Sequence, residues 1–183
     1  GSVVRDVVVG WLGCECVVSG GGNGMVWVVG REGHDLQYGG GGNDILQGGA
    51  GNGFRFGMVD DVVWDRGSGK DWPAGEGGND MYLIDGIAEI DKSRDDAGVD
   101  TVLSSVSYVL GTEQDHLILT GNTGLRGKGN SYNNALTGTS GNNTLRGGGG
   151  SSNTVFNGME GNEDLYGGGG NAWLNGGHVN GSD

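Results

Sequence analysis

Apolar residues in this chain come in short bursts, not long runs. In a nine-residue frame, residues 21–83 read GGNGMVWVV (21–29), GREGHDLQY (30–38), GGGGNDILQ (39–47), GGAGNGFRF (48–56), GMVDDVVWD (57–65), RGSGKDWPA (66–74) and GEGGNDMYL (75–83), without an insertion. The last three residues of each unit suit a brief strand, and the residues before them are glycine-rich and polar. A second array follows as GNSYNNALT (129–137), GTSGNNTLR (138–146) and GGGGSSNTV (147–155). After two extra residues, Phe156 and Asn157, come GMEGNEDLY (158–166), GGGGNAWLN (167–175) and the truncated GGHVNGSD (176–183). Its eighth position carries Leu136, Leu145, Leu165 and Leu174. Between the arrays, TVLSSVSYVL (101–110) alternates Val102, Ser104, Val106, Tyr108 and Leu110 on one face, and HLILTG (116–121) is a second strand. IDGIAEIDKSRDDAGVD (84–100) is acidic and reads as surface loop. No segment has helical periodicity.

The period itself implies architecture. In the first array, position one is Gly in every unit except at Arg66, and position four in every unit except at Asp60. With 45 glycines in 183 residues, chance does not hold that register, and neither does a random-coil linker. Two units make one coil of about 18 residues, with loops alternating between two sides and neighbouring strands roughly 4.8 Å apart. The expected fold is therefore all-β: a parallel β-roll or β-solenoid with a thin aliphatic core. Residues 1–20 read as degenerate strands, 21–83 as the first array, 84–128 as an acidic loop with connecting strands, and 129–183 as a second, Asn-rich array.

Charge narrows the chemistry. The net charge is -13, from 23 acidic and 10 basic residues. That balance disfavours nucleic acid, polyanionic glycans and anionic membranes, and favours cations. Glycine is not spaced every third residue, which excludes collagen. No apolar run is long enough to span a membrane. The N-terminus, GSVVRDVVVGWLGCECVV, lacks the basic and apolar regions of a signal peptide. Cys14 and Cys16 are too close for an unstrained disulfide and read as inert strand residues.

The sixth position of the first array reads Val26, Asp35, Asp44, Gly53, Val62, Asp71 and Asp80. Asp after a glycine turn offers carbonyls and charge together, which suits calcium, a hard ion taking six to eight oxygens. One side of the roll would carry Asp35, Gly53 and Asp71, the other Val26, Asp44, Val62 and Asp80. In this frame no two successive loops on one side both keep the Asp. Asp60 or Asp61, just before Val62, could substitute. Asp44 and Asp80 are the expected best sites, with weak, extracellular-type affinity of about 10⁻⁴–10⁻³ M or poorer. The second array has Asn134, Asn143, Ser152, Glu163 and Ala172 at this position, which suits an Asn ladder without metal.

These units resemble the RTX, or hemolysin-type, calcium-binding repeats, most directly in GGGGNDILQ and GEGGNDMYL. Residues 98–148 are similar to the segment joining repeat blocks in large bacterial RTX proteins. The resemblance implies Ca²⁺ held by the sixth-position Asp and glycine-loop carbonyls, here Gly39, Gly41 and Asp44, and Gly75, Gly77 and Asp80. It also implies a secreted bacterial module, exported unfolded by a type I route and folding where calcium is millimolar. The physics agrees, since clustered carboxylates repel without the ion and its binding supplies folding free energy. Departures are the three units without Asp, Pro73 in a strand position, a start without Met and no secretion segment after Asp183. The last two read as a fragment.

No catalytic constellation emerges. His34, His116 and His178 are far apart in sequence, and there is no H-E-x-x-H or G-x-S-x-G. GSGKD (67–71) lacks the Ser/Thr and spacing of a phosphate loop. Asp60-Asp61 and Asp95-Asp96 suit solvent or calcium better than acid–base work. Trp11, Trp27, Trp64, Trp72 and Trp173 read as packing residues before a sugar platform. The expectation is a non-catalytic calcium-binding module; the alternatives are an adhesion or glycan-binding solenoid, or the tail of a secreted hydrolase.

Overall fold

The computed structural model describes residues 6–10, 13, 16–18, 24–58, 60–65, 72–86, 98–149 and 153–177. Every regular element among them is a strand, and every pairing is parallel. The chain divides into two compact units, 1–100 and 101–183.

In the first unit, β1 (Asp6–Val9), β3 (Val26–Val29), β5 (Ile45–Gln47), β7 (Val62–Asp65) and β9 (Met81–Ile84) lie side by side. The strands between them in sequence, β2 (Cys16–Val18), β4 (Leu36–Tyr38), β6 (Phe54–Phe56) and β8 (Trp72–Ala74), form a second sheet. The chain therefore coils, visiting each sheet in turn, as the nine-residue period predicts. The period-2 alternation of a strand sends Val28, Leu46, Val63 and Tyr82 inward in one register-matched column, fully buried. Burying each such side chain contributes about 1.5–3 kcal/mol. The other sheet supplies Gln37, Arg55 and Pro73 to the interior. Pro73 is accommodated because β8 is the last strand of its sheet among the described residues. Trp72 N donates to Gly53 O, so the absent N–H of Pro73 faces away from β6.

The second unit repeats the plan. One sheet holds β10 (Thr101–Ser104), β12 (His116–Leu119), β14 (Asn134–Thr137), β16 (Thr154–Asn157) and β18 (Ala172–Asn175). The other holds β11 (Tyr108–Val109), β13 (Arg126–Lys128), β15 (Thr144–Arg146) and β17 (Asp164–Tyr166). Val102, Leu117, Leu136 and Phe156 stack inside. Gly127 is needed for that packing: a Cβ there would lie 3.0 Å from Leu145 Cδ2 and 3.1 Å from Leu117 Cδ2.

Three details differ from the period read off the chain. The alternating stretch 101–110 does not run as one strand. It bends at Ser105-Val106, where Ser104 Oγ donates to Val106 O at 2.9 Å, and divides into β10 and β11 on different sheets. Phe156 and Asn157 are not an excursion but the end of β16, with Phe156 against Leu136, so the extra length lies earlier, in the loop. And β7 pairs with β5 as Val62 with Ile45, which sets Asp61, not Val62, beside Asp44.

Candidate calcium column

That one-residue slip creates the main feature of the first unit. Asp44, Asp61, Asp80 and Asp100 stand in successive coils, each just before a strand, and each is at most 2 % exposed. Their carboxyls form a chain of hydrogen bonds. Val26 N donates to Asp44 Oδ1 at 2.8 Å, and Asp44 N to Asp61 Oδ1 at 2.7 Å. Asp61 N donates to Asp80 Oδ1 at 2.8 Å, and Asp80 N to Asp100 Oδ1 at 2.9 Å. The sequence spacings are 17, 19 and 20. The expectation that neighbouring same-side loops have lost the acid is corrected, because the loop from Gly57 to Asp61 is one residue short and the next regains it.

The second oxygens face the glycine turns. A Cβ on Gly39 would stand 2.6 Å from Asp44 Oδ2, and Gly57 and Gly75 crowd Asp61 Oδ2 and Asp80 Oδ2 in the same way. Glycine at position one thus makes room for the carboxyl of its own unit. Around Asp44 the loop turns through Gly40 at φ 98° and Gly42 at φ 117°, left-handed conformations that suit glycine. Asp44 Oδ2 is buried with no hydrogen-bond partner among the described residues. A carboxylate oxygen left so is costly, and a cation is the chemistry that satisfies it.

Burial also perturbs acidity. Desolvation raises the Asp44 carboxyl above its ordinary range, against the N–H bond from Val26. Asp61 is pushed up to about 7, mainly by desolvation and further by the charges of Asp44 and Asp80, although the N–H groups of Asp44 and Met58 oppose the shift. Burial and mutual repulsion both disfavour the charged form of these carboxyls.

The other expected ligands are placed differently. Asp60, at φ 53°, accepts from Asn79 N at 2.7 Å on the exposed side and so clamps the shortened turn. Gly77 N donates to Met58 O at 3.1 Å and Gly75 N to Tyr82 Oη at 2.8 Å, which fixes the turn before Asp80. Gly41 lies in the Asp44 turn. Asp35 is buried on the opposite loop side, with Arg31 N 3.4 Å from its Oδ2. Asp71 lies outside the described residues, as does Cys14; Cys16 is a free, exposed thiol opening β2. Among the described residues, no three Asp, Glu, His or Cys side chains converge on one point. The carboxyls form a column along the roll, and carbonyls must complete any ion's shell, as calcium permits.

On the Asp35 side, Asp35 Oδ2 stands 2.7 Å from a Cβ position at Gly30. One coil on, position six is Gly53, and the corresponding space beside Gly48 is taken by the Arg55 guanidinium. Arg55 is 2 % exposed. A built-in cation stands where the repeat would put a carboxylate.

Asp100 and Arg55 were both missed from sequence. Asp100 had a signal: D-T-V-L repeats the D-I-L of Asp44, an acid followed by strand residues.

Comparison with known families fits this geometry. The model of the RTX calcium-binding nonapeptide repeat matches residues 20–54, 128–151 and 155–178, in four copies. The chain carries RTX calcium-binding repeats on a parallel β-roll, and the family's ion is Ca²⁺. Asp44 lies in the first matched segment; Asp61, Asp80 and Asp100 lie outside the matches. No curated protein and no solved structure matches the chain. No helix among the described residues is long and apolar enough to cross a membrane. RTX repeat domains and β-solenoids are typically non-catalytic.

Proposed function

We propose that this chain is a non-catalytic calcium module of a secreted bacterial protein, and that it completes its folding when calcium reaches it outside the cell. Asp44, Asp61, Asp80 and Asp100 supply the carboxylates, and the turns at Gly39, Gly41, Gly75 and Gly77 supply carbonyls. The observation that carries this reading is the buried column of four aspartates, with Asp44 Oδ2 lacking a hydrogen-bond partner among the described residues. Calcium neutralises the column, so the carboxyls ionise fully and stop repelling one another. Asp35 and Asp71 are secondary ligands of the opposite side, and Asp60 shapes the turn.

Circular dichroism with and without millimolar calcium tests the reading. Metal-free chain should lose much of its β signal, and calcium should restore it at millimolar concentration while magnesium at the same concentration does not. A β signal indifferent to calcium would overturn the proposal.

A further inference from the structure

The second unit carries a feature its composition conceals. Residues 101–183 contain three Lys or Arg residues, Arg126, Lys128 and Arg146, against six acids. All three basic side chains stand exposed on the outer face of one sheet, on β13 and β15. Lys128 and Arg146 are strand-paired neighbours, and Arg126 projects on the same face two residues from Lys128. They line a groove of about 550 Å³ with Tyr108, Asp164 and Tyr166. Arg146 lies over the Tyr166 ring, 4.6 Å from its centroid, which holds the guanidinium in place.

We propose that this groove binds an acidic saccharide, a chain of hydroxylated rings bearing carboxylates. The three cations pair with the carboxylates, and Arg does so through two parallel N–H bonds. Asp164 accepts from ring hydroxyls. Tyr108 and Tyr166 offer aromatic surface to the apolar face of a sugar ring. This mixture of cations, one acid and two rings selects against other polyanions. A bare phosphate chain brings no ring hydroxyl to donate to Asp164, and three cations are few for a nucleic acid backbone. Of the residues lining the groove, Val109 is the one large aliphatic side chain, which gives a bilayer little to take up. Lys128 and Arg146, paired across parallel strands, stand about 4.8 Å apart along the roll, with Tyr166 next in line. Among the described acids only Asp164 lines the groove, so the net charge of the molecule does not describe this face.

The test is isothermal titration of the full chain in calcium with trigalacturonate, maltotriose, inorganic phosphate and phosphatidylserine vesicles. Trigalacturonate should bind, weaken as salt rises, and lose about tenfold or more in affinity in Lys128→Ala and in Arg146→Gln. Maltotriose and phosphate should bind at least about tenfold more weakly than trigalacturonate. These side chains point outward, so dichroism of the variants should match the parent. If a variant fails to fold, the salt dependence of the unaltered chain decides. No binding, salt-independent binding, undiminished binding in folded variants, or equal binding of phosphate or vesicles would each overturn the proposal.

Discussion

The same position in the repeat is solved in two ways. In residues 1–100 it holds Asp44, Asp61, Asp80 and Asp100, and in residues 101–183 Asn134 and Asn143 are among the residues that hold it, with Asp115 in register with Asp100. Each aspartate accepts an N–H from the neighbouring coil, but a carboxylate donates nothing. Asn134 does both: its Oδ1 accepts from Asn130 N at 2.9 Å, and its Nδ2 donates to Gln114 O at 3.1 Å and Asp115 O at 3.3 Å. Asn143 accepts from Thr139 N at 2.7 Å, and its Nδ2 lies 3.0 Å from Thr139 Oγ1. The amide N–H groups stand in for a cation. Asn134 and Asn143 find partners for both oxygen and nitrogen within the chain, whereas Asp44 Oδ2 has none among the described residues.

The largest expected effect is the most direct way to break that contrast. Chelating calcium should strip hydrogen-exchange protection from strands between 36 and 84 while strands between 126 and 157 keep theirs, as followed by mass spectrometry. Equal loss in both would remove the contrast.

Exchanging the side chains comes next. Asn134→Asp should destabilise the metal-free chain by about 1–3 kcal/mol, because two donors vanish and a buried charge appears. Asp61→Asn should do the reverse, raising metal-free stability by a similar order while lowering calcium affinity about tenfold or more. Urea unfolding and calcium titration read both.

A smaller effect concerns pH. Asp61 binds its proton more tightly folded than unfolded, with a folded value of about 7. Its contribution to metal-free stability is thus full near pH 4 and falls as pH rises through about 7. Calcium should flatten that slope, which thermal melts across pH 4–8 will show.

The smallest expected effect refines the first unit. Gly53→Asp combined with Arg55→Ser restores the acid and withdraws the internal cation. It should add about one weak calcium to the stoichiometry measured by titration calorimetry, in the millimolar class of such sites. An unchanged count in a folded variant would show that Arg55 is not standing in for an ion.

Much of this was legible in the sequence. Glycine periodicity gave the coil, the parallel pairing and the alternating loop sides, since each follows from backbone turns repeating at fixed intervals. The aspartate column was only half legible. A strict nine-residue frame puts Val62 beside Asp44, whereas strand register is set by which residues must point inward, here Val63 against Leu46. A loop can shorten by one residue and hand the position to Asp61. Arg55 was hidden for the same reason. Alternation along FRF (54–56) does not say which face turns inward: Phe54 is 45 % exposed and stacks on Trp72 at 4.9 Å, while Arg55 is buried. Of the tryptophans, Trp27 and Trp173 face solvent on different units, Trp72 is half-buried against Phe54, and Trp11 and the Trp64 side chain lie outside the described residues.

The hydrogen bonds of the aspartate column all run one way. Each coil's N–H is received by the carboxyl of the coil that follows it in sequence, from Val26 through to Asp100. The stack is therefore polar, with unlike ends. Trimming it from the N-terminal side uncovers a carboxyl that water can serve; trimming it from the C-terminal side strands a backbone donor. Its first coil thus presents acceptors and its last presents donors, so the two ends ask for different caps.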